Sequence, residues 1–202
     1  MLNIEKYLFH LHTDFTDGEL SIQKYFQFAK KSGIELLIFL EHITRNPSYD
    51  VRQFIAEIYR CSEIYEIVGV VGFEAKILPS GKLDIDPQHL ALAQFVGIAE
   101  HSFPDDARML VEAFEAVLDF YPQQYTDKHF VWVHPGLWFK RRNIISHPAY
   151  REMLTRAGRF PVWIERNLRY ELPLEDVSIS QSWRTIVGLD AHTLTDLKCF
   201  RS

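Results

Sequence analysis

Short apolar runs that end in a histidine or an acid recur along this chain, and helix-period segments separate them. Tyr7-Leu8-Phe9 is the first run, and His10-Leu11-His12 follows at once, with Asp17-Gly18 just behind. Ser21 can cap a helix striped by Ile22, Tyr25, Phe26 and Ala29, and Gly33 stops it. Glu35 to Leu40 is nearly continuous in apolar residues, the composition of a strand covered on both faces, and runs into Glu41-His42. A second striped helix carries Val51, Phe54, Ile55 and Ile58. Ile67 to Phe73 is the third strand, ending in Glu74, and Pro79-Ser80-Gly81 reads as a turn before a short helix opened by Asp86-Pro87. Phe95 to Ala99 ends in Glu100-His101, and Pro104 opens a long helix striped by Ala107, Leu110, Val111, Phe114, Val117 and Leu118. Phe130 to Val133 ends in His134-Pro135-Gly136, and a helix from Pro148 through Leu154 is ended by Gly158. Pro161 to Ile164 ends in Glu165-Arg166-Asn167, and Thr185 to Leu189 ends in Asp190-Ala191-His192. A short helix from about Thr195 to Phe200 closes the chain.

Seven strands alternating with helical segments predict an α/β fold with a parallel sheet. In a β/α barrel the carboxyl ends of the strands meet on one face, where the chemistry sits. A barrel therefore gathers His10, His12, His42, Glu74, His101, His134, Asp190 and His192 into one bowl; an open sheet would spread them along an edge. Residues two apart on a strand share a face, so His10 and His12 aim their imidazoles together, a half-site for zinc, iron or manganese. Six of the nine histidines stand at strand ends. So many buried imidazoles and carboxylates are costly together unless a metal joins them. His89, His129 and His147 read as surface or capping residues.

The chain has 202 residues, 47% hydrophobic, with a formal net charge of -5. That suits one domain, 1–202, with a substantial core, and gives no reason to expect a nucleic-acid groove or an anionic membrane. Two cysteines, Cys61 and Cys199, make no disulfide framework, which fits a reducing, cytoplasmic setting. Residues Met1 to Lys6 lack the apolar run of a signal peptide, and no stretch approaches the roughly 20 apolar residues of a membrane span.

The ordered set His10-Leu-His12, Asp17-Gly18, Glu41-His42, Gly72-Phe-Glu74, His101, His134-Pro135 and Asp190-Ala-His192 resembles the PHP (polymerase and histidinol phosphatase) metal-dependent phosphoesterase family. The resemblance implies a distorted seven-stranded, TIM-like (β/α)7 barrel and two or three divalent ions: zinc, manganese or iron. It implies a trinuclear arrangement: His10, His12, Glu74 and Asp190 on one metal, bridging Glu74 with His101 and His134 on a second, and Asp17, His42 and His192 on a third. Asp14 is a rival to Asp17, but the glycine after Asp17 matches better. Many relatives have Asp where this chain has Glu41, and some have His at the position of Asp17. Glu165-x-Asn167 resembles the family's sixth-strand motif, which supports the site without binding metal.

Two metals bridged by a carboxylate lie about 3.5–4 Å apart and generate a bridging hydroxide that attacks phosphorus in line with the leaving oxygen. Glu74, Asp190, His192 and Arg166 are the expected catalytic residues. Arg45, Lys76, Arg141, Arg142, Arg166 and Arg169 are candidate phosphate contacts, with Arg166 and the Arg141–Arg142 pair ranked first and Lys140 beside them. Trp138 and Phe139 are candidates either to stack on a base or ring of the substrate or to serve as lid or core residues. The expected substrate is a small phosphometabolite or a nucleotide, ahead of a phosphotyrosine peptide or a nucleic-acid end. Two alternatives are an amidohydrolase-type enzyme cleaving a C–N or C–O bond and a non-catalytic metal-bound module of a larger assembly. His42, His101 and the Glu74 bridge favour the phosphoesterase.

Overall fold

The computed structural model describes residues 6–173 and 183–198. Cys199 and the last residues of the closing helix expected to reach Phe200 lie outside the described residues. The architecture is α/β with a mostly parallel sheet, and its element order follows the alternation of apolar runs and helical stripes. Strand β1 (Tyr7–Leu11) leads into helix α1 (Ile22–Ser32), then β2 (Leu36–Phe39), β3 (Glu41–Ile43) and α2 (Val51–Tyr65). Next come β4 (Val68–Val70), β5 (Gly72–Leu78), β6 (Lys82–Leu83), α3 (Pro87–Leu92) and β7 (Phe95–Ala99). Helix α4 (Ala107–Gln124), β8 (His129–Trp132), α5 (Leu137–Arg141), α6 (Pro148–Ala157), β9 (Trp163–Asn167), β10 (Thr185–Gly188) and α7 (Leu194–Lys198) complete it.

Seven strands were expected, and the described residues form ten. The second and third apolar runs each break, at Leu40 and Val71, and Lys82–Leu83 adds an antiparallel partner to β5. The breaks let one run serve two sheets: β1, β2 and β4 pair in the first, while β3 and β5 join β7, β8, β9 and β10 in the second. Consequently His42 and Glu74 lie within strands rather than past their ends. The long helix begins at Ala107, capped by the Asp106 side chain, and not at Pro104. Ser21 and Gly33 cap α1 as expected, the glycine at φ 69°.

The alternation of side chains divides the core in two. Leu8, Leu37, Phe39, Phe73, Ala75, Val96, Ile98, Phe130 and Trp132 point outward and pack against the helices. Tyr7, Phe9, Ile38, Leu40, Ala99, Val131, Val133 and Ile186 point the other way and form a smaller cluster of their own. Burying a side chain such as Phe9 contributes about 1.5–3 kcal/mol. The first and last strands are laced together by backbone bonds: Leu189 N–H to Phe9 C=O at 3.1 Å, Ala191 N–H to His10 C=O at 3.0 Å, and His12 N–H to Ala191 C=O at 3.0 Å. A sheet with a small apolar interior and its first and last strands in contact is compatible with a TIM-like barrel. Among the described residues, no helix is long and apolar enough to cross a membrane.

Candidate metal centre

The ligand set begins with an irregularity in β1. Phe9 pairs with Ile38 of β2, but Leu11 pairs with the next residue, Phe39, so His10 is left over as a bulge. Its φ is 68°, in the left-handed region that non-glycine residues rarely adopt. Regular alternation from inward-facing Phe9 would send His10 outward. The bulge resets the phase, so that His10 and His12 both face inward while Leu11 joins the outer core. The shared face was legible in the spacing; the bulge that produces it was not.

Three groups of potential ligand atoms gather, each within 4.8 Å of one another: His10, His12, Glu74 and Asp190; Glu74, His101 and His134; and His12, Asp17, His42 and His192. These match the three expected groups, with His12 additionally reaching the third. In the first, His10 Nε2 lies 2.9 Å from Glu74 Oε2, and His12 Nε2 lies 3.1 Å from Asp190 Oδ1. Glu74 Oε1 is ringed by His134 Nε2 at 3.5 Å, His101 Nδ1 at 3.8 Å and His42 Nδ1 at 3.8 Å. Asp17 Oδ1 stands 3.4 Å from both His42 Nε2 and His192 Nε2. Asp14 is exposed and joins none of the three groups.

These donors fit metal ions. Both ring nitrogens of His12, Glu74 Oε1, His101 Nδ1 and His134 Nδ1 are buried without a hydrogen-bond partner. Buried polar groups left unpaired carry a full desolvation penalty. Two donors each about 2.0–2.1 Å from one zinc ion stand about 2.9–3.4 Å apart at angles from 90° to tetrahedral. The spacings around Glu74 Oε1 and Asp17 Oδ1 are at or slightly above that range, too long for hydrogen bonds and close to those of shared coordination.

Electrostatics point the same way. Burial opposes charge on His10, but the Glu165 and Asp190 carboxylates push its pKa up to about 10. Burial likewise opposes charge on His12, yet Asp190, Glu41 and Glu74 hold its pKa well above the ordinary value. Burial works to raise Glu74, and the surrounding imidazoles, His42 and His134 foremost, hold it well below the usual carboxylate range. Asp190 is held down by His10 and His12 against burial. His101 goes the other way: burial lowers its pKa to about 4 despite Glu74. In the metal-free protein the surrounding carboxylates favour positive charge at His10 and His12, the charge that a bound cation would supply.

Buried acids behind the ligands set their orientation. Glu165 accepts from His10 Nδ1 at 2.7 Å and, through its other oxygen, from the His134 backbone N–H and from Asn167 Nδ2 at 3.0 Å. This is the supporting role implied for Glu165-x-Asn167. Gly188 makes it possible, because a Cβ there would lie 1.8 Å from Glu165 Oε1. Glu41 is fully buried and accepts from the Thr13 N–H, the Thr13 hydroxyl and the Thr16 hydroxyl, pinning the loop that carries Asp17. Glu100, whose pKa burial raises, accepts from Trp132 Nε1 and the Gly136 N–H, both at 2.9 Å, and braces the segment after His134. The positioning roles of Glu41 and Glu100 escaped sequence reasoning; an acid directly before a ligand histidine was the available signal.

The candidate phosphate contacts divide. Arg141 and Arg169 line a cavity of about 220 Å³ with Glu74, His134 and Asp190. Arg169 donates to the Asp190 carbonyl at 2.9 Å, with His192 Nδ1 2.7 Å from the same nitrogen. Tyr170, which sequence reasoning missed, lines the same cavity. Arg166 is a correction: on β9 it alternates with buried Glu165 and Asn167, so it faces outward and is exposed. Arg142 is another, turned away to Asp105 at 2.8 Å and stacked 4.1 Å over the Trp138 ring. Arg45 belongs to a separate cavity beside Lys82 and Tyr121. Trp138 and Phe139 are core residues, 1% and 0% exposed, and offer no stacking face to a substrate. Lys76 borders an adjoining cavity with Asp17, His42 and His101. Among the outlying histidines, His147 caps α6.

A family model described as PHP domain matches residues 9–131. That span holds every proposed ligand through His101; His134, Asp190 and His192 lie beyond it. The chain is also 24% identical over 192 residues to the DNA polymerase/3'-5' exonuclease PolX of Bacillus subtilis (strain 168). The alignment covers 91% of this chain and 28% of that protein, so the chain spans little more than a quarter of that relative's length.

Proposed function

Because the chain belongs to the PHP domain family, we propose that it is a metal-dependent phosphoesterase hydrolysing a phosphomonoester of a small metabolite or nucleotide. The observation that carries this reading is Glu74: a buried carboxylate whose two oxygens face separate groups of histidines, as a bridge between ions requires. His10, His12, Glu74 and Asp190 would hold one ion, Glu74, His101 and His134 a second, and Asp17, His42 and His192 a third. Imidazole and carboxylate donors suit zinc, manganese or iron. When bound, such ions polarise phosphoryl oxygens and lower the pKa of water toward neutrality.

The chain's own residues supply the rest. Arg141 and Arg169 present fixed positive charge to phosphoryl oxygens in the same cavity. Arg169, held against the Asp190 carbonyl and His192, offers its remaining N–H groups to substrate. Glu165 keeps the His10 proton on Nδ1, leaving Nε2 free to act as a ligand. The lacing of β10 onto β1 supports a distorted seven-unit barrel in one domain over 1–202, the split strands counted as single units.

The PolX relative brings a nucleic-acid 3' end into consideration. A net charge of -5 and a cavity of about 220 Å³ favour the smaller substrate. Elemental analysis and p-nitrophenyl phosphate turnover test the reading together. The expected result is at least one bound transition metal and phosphatase activity that Glu74→Gln abolishes. Protein that takes up no metal, or metal-loaded protein inactive on this ester and on a phosphometabolite panel, overturns it.

A further inference from the structure

We propose that the cavity adjoining the metal centre is the leaving-group subsite, and that Lys76 selects substrates whose leaving group carries a second anionic group. The inference rests on the phosphoesterase reading and deepens it. The cavity is about 380 Å³, within the size range of small-molecule sites. It adjoins the metal cavity, since Asp17, His42 and His101 line both. The rest of the ester of a phosphoryl group held among these residues can extend into this adjoining cavity.

The lining states the chemistry of what enters. Thr16, Thr44, Ser48 and Tyr49 bring hydroxyls, and Tyr49 is fixed by its bond to the His42 carbonyl at 3.1 Å. Lys76 is the cavity's cation. It stands two residues beyond Glu74 on β5, on the same face, while Phe73, Ala75 and Ile77 point into the core. Among the described residues no carboxylate pairs with it, whereas Lys6, Lys30, Arg142 and Arg156 each have an acidic partner. Asp17, the acid on this lining, faces the His42 and His192 imidazoles. Lys76 is a partly buried residue, and an anionic ligand in the cavity would supply the counter-ion that no carboxylate among the described residues provides. Under the proposed function Arg141 and Arg169, which line the metal cavity, are assigned to the scissile phosphate, and Lys76 is absent from that lining. Its partner is therefore a different anionic group on the same substrate: a phosphate or a carboxylate on a hydroxylated, sugar- or polyol-sized leaving group. In the reaction, a water oxygen bonds to phosphorus as the P–O bond to the leaving group breaks. The leaving oxygen receives one proton in exchange for the one that water gives up, and Lys76 holds the alcohol end throughout.

Two matched pairs test this on the metal-loaded full chain. Glucose 1,6-bisphosphate is compared with glucose 6-phosphate, and 2-phosphoglycerate with glycerol 2-phosphate. The expected result is a kcat/KM preference of at least about tenfold for the doubly anionic member of one pair, equivalent to about 1.4 kcal/mol. The glucose pair identifies phosphate and the glycerate pair carboxylate. Lys76→Met should bring that ratio close to one, and Lys76→Arg should restore most of it. Calorimetric binding of 3-phosphonopropionate against propylphosphonate, which involves no turnover, should show the same preference and the same loss in Lys76→Met. Hydrolysis of both members of each pair without preference, or a preference unchanged in Lys76→Met, overturns the inference and leaves the phosphoesterase reading standing. Turnover of no phosphomonoester overturns the phosphoesterase reading itself, and equal binding of the two phosphonates then removes the subsite as well.

Discussion

Changing Glu165 to Gln alters the site without touching a metal ligand, which makes its consequences specific. One carboxylate oxygen holds His10 Nδ1 at 2.7 Å; the other takes the His134 backbone N–H and the Asn167 amide. A glutamine can accept at only one end. The backbone N–H is immobile, so the amide oxygen turns toward His134 and the NH2 group toward His10. Two donors then face each other unless His10 moves its proton to Nε2, the atom that points at Glu74 and Asp190. A protonated Nε2 cannot ligate. Losing such a support typically weakens metal affinity about 10–100-fold, or about 1.4–2.8 kcal/mol. The metal-free fold loses stability too, since a hydrogen bond to a charged group is worth about 1.5–3 kcal/mol. Competitive titration against a chelator measures the first effect and thermal unfolding of the metal-free protein the second. Metal affinity within twofold of the parent refutes the reasoning, and so does a lowered midpoint with unchanged affinity, which would make Glu165 a fold residue only.

Gly188→Ala places a Cβ 1.8 Å from Glu165 Oε1; we expect about 1–3 kcal/mol of destabilisation, measured by urea unfolding, together with weaker metal binding. Metal affinity should rise with pH, because His10 and His12 have raised pKa values and must lose protons to ligate; calorimetry in buffers of different ionisation enthalpy should detect proton release. In the metal-free protein the raised His10 pKa contributes stability that is fully present below the ordinary histidine pKa near 6.5 and is lost as pH rises through about 10. Depressed Glu74 and Asp190 contribute stability present above the ordinary carboxylate range and lost as pH falls below it, so urea midpoints should decline at both ends. Arg169→Ala should lower kcat/KM for phosphomonoesters about 10–100-fold, in steady-state assays at saturating metal.

The potential ligands were legible because each stands at or near a point where an apolar run gives way to a polar residue. Such transitions in a β/α repeat map onto one face of the fold, so position along the chain predicted position in space for His12, His42, His101 and His192. Arg166 failed the same logic because it lies inside β9, where alternation governs: with Glu165 and Asn167 inward, the residue between them faces out. Arg142 failed because the segment after His134 folds into helix α5, where Trp138 and Phe139 take the core alternative left open for them and draw the guanidinium over Trp138. Adjacency in sequence to a ligand says little about where a helical side chain points. Glu41 and Glu100 resemble solvent-facing partners of the histidines that follow them. Their roles depend on Thr13, Thr16, Trp132 and Gly136, contacts between segments 25 to 36 residues apart that no local pattern carries.

The site also depends on two side chains that face against their strands' natural alternation. Phe9 and Val133 both point into the interior cluster, so regular pleating would turn His10 and His134 outward. Both instead have positive φ, 68° and 31°, and both reach Glu74. Residues held in such regions cost of order 1–3 kcal/mol each, and a fold keeps them only where something holds them. Glu165 does this for both at once, gripping the His10 ring with one oxygen and the His134 backbone with the other. One buried acid thus couples the two irregular strands across the bridging carboxylate. In the apo protein the carboxylates favour positive charge on these imidazoles, and a divalent ion taking the place of that charge would gain ligands already turned inward, with the backbone strain met in folding rather than at binding.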